Sequence, residues 1–494
     1  MSPMKNESAP LVNNSHINDG AVTYGTDDAA PTTTTHRGTI GIWGSIAIAV
    51  NSLTGPAMLD LPATFQRSGL IPTVVALLFV CVLSALCSLH MANTISKYPS
   101  NLNFQREVEF SESFRYFWGH KWFVVTEVLF FCCITCLNIS SIVDTAQVVD
   151  TFVGHFLGSS MALYISGEHQ DLQLVHWEPS QCSAQEFADG TCLAFAQHSN
   201  GMLLTLGYLV TAAVYVPMSL SDLKENATFQ IVGFVVLLAT SFQFAVEFGV
   251  AGLDVNNLTL WGTSWDTLFG VVLFNFALVI AVPAWLYEKH VAISVPTVIN
   301  GSSGLSTVLY IVVGGMGALA IPNISDNMLE SMMSGTFGTS MQLGSCLFAF
   351  MIIGLGIPLF SVLTRMNLTG GGLTTHRVGN LLAVYLPWSI SWMFYQGNLI
   401  TQLLSWGGVF FTSAVAFLLP LMLALHTVLE FDQEGSIQVY GSKGWIVSKR
   451  AQIVALVVLI TLAVLSVGTA VAGTFWMTEG DDIDNDTDNL LIPL

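Results

Sequence analysis

Several residues that could bind a small polar ligand stand together inside the first long apolar segment of the chain. Asn51, Ser52 and Thr54 carry side-chain oxygens or amides, and Gly55-Pro56 follows them directly. Proline lacks a backbone donor and glycine loosens a helix, so this stretch predicts an interruption of the helix. Irregular backbone persists in the interior of a bilayer only where it lines a buried or water-filled cavity. We interpret residues 51–62 as a binding site near the middle of the membrane.

A second stretch of the same kind lies in the sixth apolar segment. Asn275 stands there between Phe274 and Phe276, and Pro283 follows further along. Interrupted segments at corresponding places in two halves of a membrane protein are the best sequence indication of a substrate site between inverted repeats. The pair falls on segments one and six, as a five-plus-five inverted repeat requires. Because the halves share almost no sequence identity, the repeat is inferred from topology alone.

The composition is that of a polytopic, all-α membrane protein. Of the 494 residues, 52% are hydrophobic and only 10% are charged, with a mean hydropathy of +0.64. A soluble protein of this size carries about 25% charged residues. The lipid bilayer is therefore the expected surrounding, and no feature of the sequence indicates a nucleic-acid partner.

Apolar runs of about 20 residues, long enough to span a bilayer, predict about eleven transmembrane helices. They lie at 39–66, 70–94, 122–149, 201–219, 229–250, 266–287, 303–322, 341–364, 378–396, 399–425 and 451–476. Residues 1–37 are polar and predict a disordered tail, and the weakly apolar run 156–166 is too short to span. The aromatic and charged residues of 108–120 predict a helix at the membrane interface or a plain amphipathic connector.

The basic residues predict the orientation of these helices. With residues 1–37 in the cytoplasm, 13 of the 14 lysines and arginines fall on the cytoplasmic side, and only Arg67 falls outside. Cytoplasmic loops of membrane proteins carry this excess of positive charge. The net charge is −19, and 11 of the 33 acidic residues lie in the outer loop 151–200 and the tail 477–494. We therefore interpret the acidity as a solvated exoplasmic or luminal face.

Two further features agree with this orientation. Cys182 and Cys192 both fall in the outer loop, where an oxidising environment permits a disulfide; two free thiols are the alternative. Glycosylation sequons headed by Asn257, Asn323 and Asn485 also fall outside, which predicts a glycoprotein.

The stretch from Asn51 to Gly69 resembles the first-helix signature of the amino acid/auxin permease family. That signature has Asn, a Gly-x-Gly turn, Leu-x-Leu-Pro-x-x-Phe and a closing Gly, and the chain reads NSLTGPAMLDLPATFQRSG. The sixth segment resembles the family's Phe-x-Phe pattern running on to Pro and Glu. Residues 404–424 resemble its tenth helix, and the whole resemblance covers roughly residues 38–476.

This resemblance implies the leucine-transporter-like fold, with discontinuous helices 1 and 6, two inverted five-helix repeats and one peripheral helix. It also implies secondary active transport of amino acids. Backbone amides of the first break, at Thr54, Gly55 and Ala57, would hold the substrate carboxylate. Asn51 would take the ammonium group or a coupling cation, together with exposed carbonyls. The sixth helix would cover the side chain with Phe274, Asn275, Phe276 and Ala277, and the remaining candidates are Ser52, Asn138 and Ser141.

The resemblance also bears on the coupling ion, which is the only cofactor expected. Sodium-coupled members have a Thr two residues before a Pro in the eighth helix, and this chain has Gly356 before Pro358. Ser361 or Thr364 could substitute only in another register, so H+ is favoured over Na+. An intramembrane titratable group is then needed, and Asp60 is the first candidate. The alternative for Asp60 is an ion pair with Arg67 or a neutral, hydrogen-bonded carboxyl.

Other titratable groups have more ordinary interpretations. Glu127 and Asp144 are expected near the two ends of the third helix, in contact with solvent. No paired-His metal helix, Gly-x-Ser-x-Gly elbow or P-loop occurs, so we do not expect an enzyme.

Two functions from different classes remain. The first is an amino acid transporter of the plasma membrane or of a vacuolar or lysosomal membrane. The second is an amino acid receptor that keeps the permease fold without significant flux. The short inner loops offer a signalling partner little surface, which favours the transporter.

Overall fold

The structure is a computed structural model of the 494-residue chain. It describes residues 38–99, 101, 103–166, 172–182, 194–195, 201–324, 327–333, 337–393, 395, 408–430, 436–438 and 446–488. The predicted tail 1–37 and Cys192 lie outside these ranges, as does the end of the predicted acidic tail.

Most of the described residues form helices. The α-helices are α1 Ile42–Leu53, α2 Leu61–Ser68, α3 Leu70–Ser96, α4 Phe110–Trp118, α5 His120–Leu157, α6 Leu206–Ser219, α7 Leu223–Ala251, α8 Leu268–Phe274, α9 Val282–Glu288, α10 Val295–Ala320, α11 Met328–Met333, α12 Thr339–Phe348, α13 Gly354–Gly370, α14 His376–Asn380, α15 Leu386–Met393, α16 Leu419–Glu430 and α17 Lys449–Asp488. Four short 3-10 helices cover Pro56–Asp60, Pro179–Gln181, Val255–Asn257 and Leu278–Ile280, and π-helical turns cover Ala349–Ile353, Leu381–Tyr385 and Gly408–Leu418.

Fewer of the described helices have spanning length than the eleven predicted. Within the described residues, eight helices are long and apolar enough to cross a bilayer, and the bent pair α1–α2 makes nine. The predicted span 201–219 contains a 14-residue helix, α6, preceded by a β-strand. The predicted span 378–396 corresponds to α14, a π-helical turn and α15. The predicted arrangement of apolar helices is therefore present, with two spans shorter or less regular than expected.

The third span is longer than predicted. Helix α5 runs for 38 residues from His120 to Leu157 and ends at Gly158, whose φ of 88° and ψ of −21° are those of a left-handed C-cap. Hydropathy falls near residue 150, but the helical backbone continues to Leu157. The predicted end at residue 149 is therefore wrong.

Asp150 is buried in the extended part of α5 and joins three other segments. Its Oδ1 accepts hydrogen bonds from Ser160 Oγ at 2.9 Å and from the Gly207 amide at 2.8 Å. Its Oδ2 accepts one from the Tyr395 hydroxyl at 3.0 Å. A Cβ at Gly207 would lie 2.4 Å from the Ala146 carbonyl oxygen, so only glycine permits this approach. The carboxylate thus fastens the end of α5 to β1, to the start of α6 and to the segment after α15.

A three-stranded antiparallel sheet, which the sequence analysis did not predict, covers this end of α5. Strand β1 (Ser160–Ser166) lies between β2 (Leu172–Trp177) and β3 (Gly201–Thr205), and Leu163 pairs with both Leu174 and Leu204. A second pair, β4 (Ser436–Gln438) and β5 (Ile446–Ser448), precedes α17. Part of the predicted loop 151–200 is therefore ordered, as strands β1 and β2 of the three-stranded sheet.

Burial separates central helices from peripheral ones. In the span Leu268–Glu288, which contains α8 and α9, 83% of the apolar window is buried, against 22% in Lys449–Gly473. An isolated spanning helix contacts lipid all round, so α17 is the peripheral helix that the sequence predicted. The sixth span lies at the centre of the bundle.

Helix α4 confirms the predicted helix within 108–120, and it packs against the ends of α5 and α13. Glu127 of α5 accepts hydrogen bonds from Ser111 Oγ and, at 2.8 Å, from Asn367 Nδ2. Only 4% of Glu127 is exposed, so the expectation of solvent contact is wrong: α4 covers this carboxyl.

Glu109, the residue before α4, is also buried, and a pH dependence follows from it. Burial raises the pKa of Glu109 well above its ordinary 4.5, and Glu107, Glu112 and Glu127 raise it further. The folded protein therefore keeps a proton that the unfolded chain loses above that pH. We expect the free energy of unfolding to decrease as the pH rises from 4.5 through the folded-state pKa of Glu109.

Glu109→Gln should remove this part of the pH dependence and leave the protein more stable than the wild type at the alkaline end. The measurement is the unfolding midpoint of the detergent-purified protein over a pH series. Glu225→Gln, at an exposed position of α7, is the matched control. An unchanged pH profile in Glu109→Gln would contradict this account.

Candidate functional site

The first predicted break is present between α1 and α2. Helix α1 ends at Leu53, Gly55 is extended with a φ of −101° and a ψ of −162°, and the 3-10 turn Pro56–Asp60 leads into α2. A residue before proline favours the extended region, which explains why the helix stops here. The axes of the two parts differ by 58°.

The amides predicted to hold a carboxylate are engaged in this conformation. Thr54 N donates to the Val50 carbonyl at 2.8 Å, and Gly55 N donates to the Leu53 carbonyl at 3.0 Å. The hydroxyls of Ser52 and Thr54 donate to the Ala49 and Val50 carbonyls, both at 2.9 Å. A bound carboxylate would have to replace these internal bonds, and the role of Ala57 stays a prediction.

The second predicted break is present between α8 and α9. Helix α8 ends at Phe274, residues 275–277 are irregular, and the 3-10 turn Leu278–Ile280 precedes α9. Asn275 Nδ2 donates to the Val271 carbonyl at 2.9 Å, and Ser84 Oγ of α3 donates to the Phe276 carbonyl at 2.6 Å. Phe276 and Ala277 are buried, whereas Phe274 is half-buried.

Tyr310 of α10, which the sequence analysis did not select, connects the two breaks. Its hydroxyl lies 2.6 Å from the Leu53 carbonyl oxygen and 3.1 Å from the Asn275 carbonyl oxygen. The side chain is completely buried, and its ring packs edge-on against Phe276 with centroids 5.4 Å apart. A buried phenol in an otherwise aliphatic and small-residue helix is the signal that could have found it, because such a hydroxyl needs a partner.

Asn51 is buried one turn before the first break and is held by α7. Its Nδ2 donates to the Gln230 carbonyl at 2.9 Å and to Gln230 Oε1 at 2.7 Å. Gln230 Nε2 in turn donates to Asn226 Oδ1 at 2.9 Å and to the Leu355 carbonyl of α13 at 3.0 Å. Asn51 Oδ1 is buried and accepts no hydrogen bond from any described residue. This oxygen is available to a ligand or an ion.

The candidate substrate residues on α5 and the candidate ion residues on α13 form a second group. Asn138 Nδ2 donates to Ser361 Oγ at 3.1 Å, so the predicted substrate residue and the predicted ion residue contact each other. Ser141 and Thr364 instead donate to the Leu137 and Phe360 carbonyls of their own helices, at 3.0 and 2.8 Å. Within the described ranges, no hydrogen bond joins this group to Asn51.

Asp60 and Asp144, the two carboxyls that could carry a coupling proton, lie on elements that pack together. Asp60 is partly exposed at the end of the 3-10 turn Pro56–Asp60, which contacts α5, and α11 packs against both. Asp144 accepts a hydrogen bond from Ser140 Oγ at 3.1 Å and makes no ion pair in the part of the chain that the structure describes.

The position of Asp144 corrects the sequence analysis. With 1.5 Å per residue, it lies about 20 Å from the end of α5 and only about 9 Å beyond Asn138. With 3.6 residues per turn, it points about 160° away from Val128, which is 54% exposed on the outer face. Asp144 is nevertheless partly exposed. Its exposed surface therefore faces the interior of the bundle rather than lipid.

On the other side of the breaks, α1, α9 and α10 line a small apolar crevice with room for about one water-sized molecule. Its walls include Ile48, Ala49, Leu278, Trp285 and Val298. Because these side chains are hydrophobic and the space is small, the crevice does not suit the charged end of a ligand.

Comparison with known proteins agrees with this geometry. Residues 38–177 match the family described as "Transmembrane amino acid transporter protein", which confirms the resemblance seen in the first-helix residues. No curated protein sequence matches the chain significantly.

Two solved structures share the fold. MHP1, a nucleobase-cation-symport-1 family transporter in a closed conformation with bromovinylhydantoin bound, is 12% identical with a TM-score of 0.52, over 90% of this chain and 93% of that one. MhsT in complex with L-phenylalanine is 10% identical with a TM-score of 0.61, over 86% and 98%. At these identities the similarity establishes the fold alone. The predicted leucine-transporter-like fold is confirmed.

The Asn51–Gln230 contact gives a test of how the first break is held. Asn51→Ala and Gln230→Ala should each lower the stability by about 1–3 kcal/mol, because each removes the buried hydrogen bond between Asn51 Nδ2 and Gln230 Oε1. The double variant should lose less than the sum, with a coupling of at least about 0.5 kcal/mol. The measurement is the unfolding midpoint of the purified protein. Gln243→Ala, whose amide bonds Ser340 at the surface, is the control and should be additive with Asn51→Ala.

Proposed function

We propose that this chain is a secondary active transporter of amino acids that works by alternating access around its two broken helices. The observation that carries the proposal is the meeting of the two breaks at Tyr310, in a chain whose residues 38–177 match an amino acid transporter family. The similarity to MhsT, a structure that contains L-phenylalanine, supports an amino acid as the substrate.

The substrate is a small amino acid or a related zwitterion, held at the first break. Its carboxylate replaces the internal bonds of the Thr54 and Gly55 amides, with the Ala57 amide beside them. Its ammonium group is bound by Asn51 Oδ1, which is buried without a donor among the described residues. Residues 274–277 cover the side chain, and Asn138 and Ser141 face it from α5.

The coupling ion is H+ rather than Na+. Support comes from the hydroxyls that a sodium ion would need: Ser361 is bonded to Asn138, and Thr364 to its own helix. Two carboxyls could carry the proton. Asp60 lies at the end of the first break, and Asp144 faces the interior from α5.

We place residues 1–37 in the cytoplasm and the sheet-bearing loop 151–200 on the exoplasmic or luminal side, with the acidic tail 477–494. The membrane is the plasma membrane or that of a vacuole or lysosome. The asymmetric distribution of lysine and arginine supports this orientation. A Cys182–Cys192 disulfide and glycosylation at Asn257, Asn323 or Asn485 would fit the outer side.

The proposal is tested by uptake of radiolabelled amino acids into proteoliposomes, with the pH gradient varied and Na+ replaced by choline. We expect at least one small neutral amino acid to accumulate with an inward proton gradient and without Na+. Asn51→Ala and Thr54→Val should abolish uptake without preventing insertion. Thr263→Val, at an exposed loop position, is the control and should leave uptake unchanged. Binding without flux would select the receptor, and no binding or uptake of any amino acid would contradict both.

Two matched variants identify the proton-carrying group. If a carboxyl binds the coupling proton, its replacement by Asn should make uptake independent of the pH gradient, because the neutral amide cannot release a proton. Asp60→Asn and Asp144→Asn are compared with Asp254→Asn, an exposed aspartate of the loop after α7. Equal pH dependence in all three would exclude both carboxyls.

A further inference from the structure

The Tyr310 hydroxyl lies between two carbonyl oxygens that belong to different broken helices. It is 2.6 Å from the oxygen of Leu53 and 3.1 Å from that of Asn275. The ring is fully buried and held edge-on by Phe276, which fixes where the hydroxyl stands.

Both carbonyls stand at the C-terminal ends of half-helices. Helix α1 ends at Leu53, and Asn275 is the cap of α8. The C-terminus of a helix carries a partial negative charge, so two such ends directed at one buried point favour a positive group there. In transporters with broken helices, such ends and unwound carbonyls coordinate the coupling cation.

In the first span, two charged residues lie on elements that pack against α10, Asp60 on the 3-10 turn Pro56–Asp60 and Arg67 on α2, each near the end of its element that is farther along the chain from Leu53. Helices α1, α8 and α10 contain no acidic or basic residue. The phenol proton is therefore the positive partner at this point. It can be donated to only one carbonyl at a time, and Leu53 O also accepts the Gly55 amide at 3.0 Å. Leu53 O thus keeps a donor when the hydroxyl turns to Asn275.

We propose that the Tyr310 hydroxyl takes the place of a coupling cation between the two helix breaks, so that transport by this chain requires no Na+ at this point. The inference rests on the proposed transport function and deepens it. The partial negative charges of the two helix ends, which an ion would otherwise neutralise, are neutralised by the Tyr310 hydroxyl of α10.

The test compares three variants with the wild type, in NaCl and in choline chloride at one pH. Tyr310→Phe removes only the hydroxyl, and Tyr310→Asn removes the ring and offers an amide oxygen and room for an ion. Tyr215→Phe is the matched control, because its buried hydroxyl also donates to a backbone carbonyl, that of Phe350 in the π-helical turn after α12. Amino acid uptake and the unfolding midpoint are measured for each protein.

We expect wild-type uptake to be equal in the two salts. Uptake by Tyr310→Phe should fall at least about tenfold, because a buried carbonyl loses its donor. Tyr310→Asn should gain a response to Na+, seen as a higher unfolding midpoint in NaCl than in choline chloride. Tyr215→Phe should show no difference between the salts.

Wild-type uptake that stops in choline chloride overturns the inference, as does Tyr310→Phe with wild-type uptake. An unfolding midpoint of Tyr310→Asn that is equal in both salts overturns it as well. If the wild type moves no amino acid in either salt, the proposed function fails. The salt dependence of the midpoints then still decides whether Tyr310 stands where a cation would bind.

Discussion

Backbone polar groups inside a bilayer find no water, and every interruption of a membrane helix must therefore be satisfied from within the protein. This chain interrupts two helices close to each other, which leaves carbonyls at the ends of α1 and α8 in need of donors. One phenol, that of Tyr310, serves both of them. The relative position of the two breaks, and with it the geometry of any substrate site between them, depends on this contact.

The remaining polar contacts hold the elements around the breaks. Gln230 ties Asn51 to α13, and Asn138 ties α5 to Ser361 of α13. At the two ends of α5, Glu127 and Asp150 are buried carboxyls that collect donors from several segments. Helix α5 is thus fixed at both ends, while α1 and α8 are held mainly through amide and hydroxyl contacts near their breaks. Such a division suits a protein in which one group of helices moves against another, and it accords with the proposed alternating access.

The engaged amides of Thr54 and Gly55 have a consequence for binding. To bind a substrate carboxylate, these amides would have to give up the backbone carbonyls that they now contact. Part of the binding energy would therefore be spent on opening the turn. A site of this kind couples occupancy to the shape of the broken helix. Because Asn51 Oδ1 accepts no hydrogen bond from the residues that the structure describes, the ammonium group would meet less resistance than the carboxylate.

The sequence by itself determined the features that depend on local chemistry. Gly55-Pro56 predicted the end of α1, Asn275 and Pro283 predicted the second interruption, and long apolar runs with few charges predicted a membrane protein. Tertiary structure alone decided the partners. Tyr310, Gln230 and Ser84 lie far from the breaks in sequence. The phenol of Tyr310 stands out in its helix, but the sequence does not say which carbonyls it contacts, and nothing local distinguishes Gln230 and Ser84 from packing residues. Asp144 was misplaced for the same reason: hydropathy reports where a segment becomes polar, whereas the length of α5 and the direction of its faces depend on the helices and the sheet that cover it.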